Sequence, residues 1–213
     1  MLGLGLPSLI SRIITLVIAF TIHEFAHAWS ADLLGDDTPR RYGRLTLNPL
    51  AHLDLFGSLL LVITGFGWAK PVPINPYALR SKTPAGTMLV SAAGPLSNLG
   101  LAILASLPFQ AGLISPFAES GRFLPSPAGF LQEFIFINLI LLFFNLIPIA
   151  PLDGEKVAEY FLPPRGQEIL LQIRPYGPLI LLAFLFILPS IGINILALLV
   201  GVPARQILSI LIL

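Results

Sequence analysis

Four stretches of this chain, near 8–34, 84–108, 128–150 and 176–200, are apolar over spanning length, each meeting the ~20 residues a helix needs to cross ~30 Å of hydrocarbon. In hydrocarbon the backbone has no water to bond, so runs of this length read as helices that satisfy their own N–H and C=O groups. Charged residues make up 11% of the 213, against about 25% in soluble domains. The expected fold class is an all-α polytopic membrane protein in a single membrane-embedded unit, 1–213. A net charge of +1, with no basic stretch interleaved with aromatics, gives no nucleic-acid footprint. The absence of cysteine excludes disulfides, thiolate metal sites and a thiol nucleophile.

Basic residues orient the spans, because cytoplasmic loops carry the excess of Lys and Arg. Arg40, Arg41, Arg44, Lys70, Arg80 and Lys82 lie between the first two runs, and Lys156, Arg165 and Arg174 follow the third, so nine of the twelve fall on one side. Arg12 and Arg122 are expected outside. The apolar run 50–66 is flanked by two of these basic clusters, and a single crossing would separate them. It is therefore expected to be a re-entrant or interfacial hairpin, which also suits its polar His52 and Asp54. On either side, 44–49 and 71–76 alternate and end in Asn-Pro, which predicts two short strands. Pro71 and Pro73 confine the second to a sheet edge, and such an edge accepts an extended peptide by strand addition.

The first apolar run contains His23-Glu24-Phe25-Ala26-His27. Ionisable residues inside a span are costly to bury and mark function. Residues four apart on a helix differ by about 40° around its axis, so both imidazoles face one way with Glu24 beside them. Two neutral imidazoles can hold a metal while the carboxylate acts on its bound water. The motif lies within the N-terminal run, so that run is not a removable leader.

A catalytic zinc usually has three protein ligands and one open position. The glycine and histidine of a metzincin would fall at Ser30 and Leu33, which excludes that class. No glutamate occurs between Glu24 and Glu119, and Asp32 is turned about 140° from His27 on the helix. His52, Asp54 and Asp153 remain. Asp153 follows Asn145-Leu146-Ile147-Pro148-Ile149-Ala150-Pro151-Leu152, where two prolines must break the helix, and irregular backbone at membrane depth survives only where protein or a wet cavity covers it.

With Gly94-Pro95-Leu96-Ser97-Asn98 in the middle of the chain, these blocks resemble the site-2 protease family of intramembrane zinc metalloproteases, peptidase family M50, over about 10–160. Asn48-Pro49-Leu50-Ala51-His52-Leu53-Asp54 and the 69–76 stretch are similar to a small bacterial branch without PDZ or CBS modules. The resemblance implies a core of three transmembrane helices within about 8–160 and additional C-terminal helices at about 165–213. It also implies Zn²⁺ held by His23, His27 and Asp153, Glu24 as base, and Asn145 beside the metal. His52, Asp54 and Asn98 are candidate substrate contacts or supports of the ligands. The expected activity is cleavage of single-span membrane proteins or membrane peptides from a site opening to the cytoplasm of a cell-membrane protein. Two rival classes, a metal-ion transporter and a non-proteolytic relative that grips membrane helices, share the intramembrane polar residues, but neither needs Glu24 as a base.

Overall fold

The computed structural model describes residues 5–54, 56–57, 67–117 and 124–213. Its elements are α1 (Leu6–Leu33), α2 (Thr38–Arg41), α3 (Pro49–His52), α4 (Pro76–Lys82), α5 (Gly86–Gln110), α6 (Pro127–Asn145), α7 (Asp153–Phe161), α8 (Pro164–Ser190) and α9 (Ala197–Ile212). Four of them, α1, α5, α6 and α8, are long and apolar enough to cross a membrane, and the chain is a multi-pass membrane protein.

Helix α5 packs against both α1 and α6, and α1 also reaches α6. The sequence permits this through two four-residue ridges. On α1 the buried positions Ser11, Thr15, Ala19, His23, His27 and Ala31 follow one another at every fourth residue, and on α5 Val90, Gly94, Asn98, Ala102 and Ser106 do the same. Small residues in such rows let membrane helices approach closely, where packing and interhelical hydrogen bonds replace the hydrophobic effect.

Several boundaries differ from those expected. The third span ends at Asn145 rather than 150, because Pro148 and Pro151 cannot continue an α-helix. The run 176–200 is divided: α8 ends at Ser190, Gly192 takes a φ of +84°, and Asn194 caps the next helix by accepting from Ala197 N–H at 2.9 Å. Within these two helices, Ala183–Ile187 and Ala197–Gly201 are π-helical.

Neither stretch at 44–49 or 71–76 forms a strand; among the described residues the only pairing is an isolated antiparallel bridge between Leu53 and Ala69. Side chains hold these loops instead. Buried Arg44 donates to the carbonyls of Ala51, Lys70 and Pro71, and Asp36 accepts from Thr38 N–H at 3.0 Å and Asn75 N–H at 2.6 Å. Burial lowers the pKa of Arg44, opposed by the nearby charge of Glu24. Most of the 50–66 hairpin, residues 55 and 58–66, lies outside the described residues.

Candidate metal centre

His23 and His27 stand one turn apart on the buried face of α1, and Asp153 is the first residue of α7. Their ligand atoms form a small triangle. His23 Nε2 lies 3.1 Å from His27 Nε2 and 3.1 Å from Asp153 Oδ2, and His27 Nε2 lies 3.3 Å from the same oxygen. A tetrahedral zinc with ligands at 2.0–2.1 Å has ligand–ligand edges of ~3.3–3.4 Å, so the triangle has the size of one face of that polyhedron.

The outer hydrogen bonds determine which atoms face inward. His27 Nδ1 lies 2.7 Å from Val90 O, which can only accept, so this nitrogen carries the proton. For His23 a relay ends on another obligate acceptor. Asn138 Nδ2 donates to Phe134 O at 2.9 Å, Asn98 Nδ2 donates to Asn138 Oδ1 at 2.9 Å, and Asn98 Oδ1 therefore accepts from His23 Nδ1 at 2.7 Å. With both protons on Nδ1, the two Nε2 atoms and the carboxylate oxygen converge as lone-pair donors. Three such atoms repel one another unless a cation lies between them, so the residues present fit a divalent metal.

Gly94 explains how α5 fits beside the imidazoles: a β-carbon there would collide with His27 Nε2 and come within 2.6 Å of His23 Nε2. Gly154 serves the other side, since a β-carbon would run into the Leu146 carbonyl group and lie 2.6 Å from Ile147 O.

A cavity of about 950 Å³ opens onto this centre. Glu24, Asn145 and Lys156 line it together with His23, His27 and Asp153, and its apolar wall includes Leu16 and Phe20 from α1, Phe136 and Ile140 from α6, and Leu181 and Leu185 from α8. At its other end Arg12 Nε donates to Glu133 Oε1 at 2.6 Å. Asn145 Nδ2 gives one hydrogen to Leu141 O at 3.0 Å, which leaves its second N–H and its Oδ1 for other partners.

Of the other sequence candidates, Asn98 is hydrogen-bonded to the His23 imidazole, whereas His52 and Asp54 neither line the cavity nor belong to the donor cluster. His52 is fully buried and its Nε2 donates to Thr46 O at 2.7 Å; Asp54 Oδ1 accepts from Gly57 N–H at 2.8 Å. Both shape the loop. Sequence reasoning missed Asn138. Its signal was present, because an amide in the apolar run, seven residues before Asn145, lies within about 20° of the same helix face.

Two imidazoles and a carboxylate around one point, with a glutamate beside them in a cavity among membrane helices, define a membrane metallohydrolase. The profile of Peptidase family M50 matches residues 112–188. The chain is 43% identical over 181 residues to YwhC of Bacillus subtilis (strain 168), named as a zinc metalloprotease, covering 83% of this chain and 80% of that one. It is 32% identical over 175 residues to Rip2 of Mycolicibacterium smegmatis, also named as a zinc metalloprotease, covering 79% of this chain and 64% of Rip2. Rip2 of Mycobacterium tuberculosis (strain H37Rv) is 32% identical over 180 residues, with 83% and 66% covered. No solved structure matches. The chain belongs to peptidase family M50.

Proposed function

We propose that this zinc metalloendopeptidase cuts peptide bonds in or next to the transmembrane segments of single-span membrane proteins or membrane peptides. The observation that carries the reading is the shared cavity, in which the ligand triangle and Glu24 face apolar side chains of α1, α6 and α8. A soluble peptide gains little from such a wall, whereas an apolar segment leaving the bilayer buries its side chains there.

His23, His27 and Asp153 would hold the zinc, which when bound would supply a Lewis acid for water and for the scissile carbonyl. Glu24 takes the proton of the attacking water and delivers it to the departing amine. The free N–H of Asn145 donates to the carbonyl oxygen as negative charge develops there. A helical substrate has its carbonyls engaged in its own hydrogen bonds, so it must unwind before attack. The segment 71–75 brings Val72 and Ile74 to the cavity wall, and their backbone groups would pair with the opened strand, since Pro71 and Pro73 supply no N–H and Arg44 and Asp36 hold Pro71 O and Asn75 N–H. In this reading α1, α5 and α6 form the catalytic core. The excess of Lys and Arg in the loops supports a cavity mouth on the cytoplasmic side, with His23 about 15 Å of helix from Leu33 at the end of α1.

Glu24→Gln tests the mechanism. The amide keeps the shape of the side chain but cannot accept the proton, so purified Glu24→Gln should retain zinc while cleavage of tagged single-span substrates falls by about 100- to 10,000-fold. Cleavage at the wild-type rate rejects Glu24 as the base, and wild-type enzyme that cuts only soluble peptides rejects the membrane substrate.

A further inference from the structure

Behind the donor triangle lies an ion-pair cluster that takes no part in the chemistry above. Glu155 is two residues beyond Asp153 in the first turn of α7 and is 3% exposed. Arg174, in α8, encloses its carboxylate: Nε donates to Glu155 Oε1 at 2.6 Å and Nη2 contacts the same oxygen. The same Nη2 donates to Glu159 Oε2 at 2.8 Å, one turn further along α7. A guanidinium spanning two carboxylates on one helix face restrains both position and rotation of that helix, because its donors form a rigid planar fork.

Other contacts from the same part of the chain converge on the segment that precedes Asp153. Gly177 lies so close to Ala150 that a β-carbon would strike the Ala150 carbonyl oxygen. Leu181 of α8 and Val200 of α9 bury Ile147 and Leu152 in one apolar cluster. The segment has little of its own to hold it: between α6 and α7 its backbone bonds include only short-range links such as Ile149 N–H to Ile147 O and Leu152 N–H to Ile149 O. α7 itself packs along α5, and α8 adds the ion pairs and apolar contacts that fix its first turn and the segment before it.

We propose that Arg174 is a positioning residue for the zinc ligand Asp153, acting through Glu155 and Glu159 to fix the first turn of α7 where it packs on α5. The inference rests on the zinc centre proposed above. It makes α8 part of the metal site, so that displacement of α8 loosens one ligand while leaving both imidazoles in place.

The experiment measures zinc affinity and release to a chelator in purified, detergent-solubilised full-length protein, alongside thermal unfolding. Arg174→Gln should weaken zinc binding by about 10- to 100-fold, the usual range for a group supporting a ligand. Arg174→Lys keeps the charge but loses the fork and should fall between Arg174→Gln and the wild type. Arg80→Gln, which removes only a 3.9 Å exposed contact to Glu159, should leave zinc binding unchanged. Leu139→Ala, a cavity in an apolar cluster whose buried residues are separate from those of the Ile147 and Leu152 cluster, lowers stability and should not speed zinc release. Wild-type zinc affinity in folded Arg174→Gln overturns the proposal; if that variant does not fold, wild-type affinity in Arg174→Lys does so. Faster release in Leu139→Ala matching that of the Arg174 variants also overturns it, because general destabilisation then explains the effect. Wild-type protein that binds no zinc rejects the metal-centre reading itself.

Discussion

The two halves of the proposed ligand set are built by opposite means. His23 and His27 sit on an unbroken helix whose period aligns them, and α5 locks their outer nitrogens through Val90 O and the Asn98–Asn138 relay. Asp153 follows a proline-broken segment with no regular backbone, and the helix it begins, α7, is held by packing on α5 and by ion pairs from α8. Helical spacing thus gives the imidazoles precision at the level of local structure, whereas the carboxylate depends on packing between parts of the chain distant in sequence. Damage to the first half should be graded, since several partners share the work, and damage to the second should be abrupt.

The largest contrast should come from Asp153→Ala. Removing the anionic ligand leaves two neutral imidazoles, so metal analysis of the purified variant should find zinc lost while far-ultraviolet dichroism still reports the helices. Full zinc occupancy would mean that another group completes the site. Next is Asn145→Leu, on the broken side but outside the triangle. Zinc should remain, and turnover should fall by ~100-fold or more if its free N–H serves the developing oxyanion; near-normal turnover removes that role.

On the helical side the effects should be smaller. Asn98→Leu removes the acceptor of His23 Nδ1–H but leaves the imidazole packed on α5, and zinc affinity should drop by about 10- to 100-fold. An unchanged affinity would show that the helix alone aligns His23. Asn138→Leu acts one bond further out, leaving the Asn98 amide without its buried partner. Stability should fall by about 1–3 kcal/mol with zinc affinity changed less than in Asn98→Leu. A zinc defect as large as that of Asn98→Leu would mean that the relay works as one unit.

The same contrast governs what could be read in the sequence. His23 and His27 were legible because a four-residue interval on a helix has a single geometric meaning. Asp153 was one of three options on spacing alone, and only the resemblance to a family favoured it, because a proline break permits many directions and the sequence does not say which neighbour selects one. The spans were legible from apolar length. Their ends were not: the run 176–200 looks continuous in composition, yet Gly192 and the cap at Asn194 divide it. The strands expected at 44–49 and 71–76 failed for a related reason. Alternation supplied the pattern, but His52 engages Thr46 O in the first stretch, Arg44 and Asp36 engage Pro71 O and Asn75 N–H in the second, and Pro71 and Pro73 supply no N–H for a ladder.

The π-helical turns at Ala183–Ile187 and Ala197–Gly201 bear on how this chain tolerates changes in its own length. A π turn closes its hydrogen bonds over one residue more than an α turn. Deleting one residue there lets the same turn close as α, with the flanking helix kept in register. Deleting one residue from α1 between Ser11 and His23 instead rotates everything before it by about 100° relative to the imidazoles. The ridge that meets α5 is then divided between two faces. The chain can therefore shorten in the cavity wall contributed by α8 and α9, whereas α1 must keep its residue count.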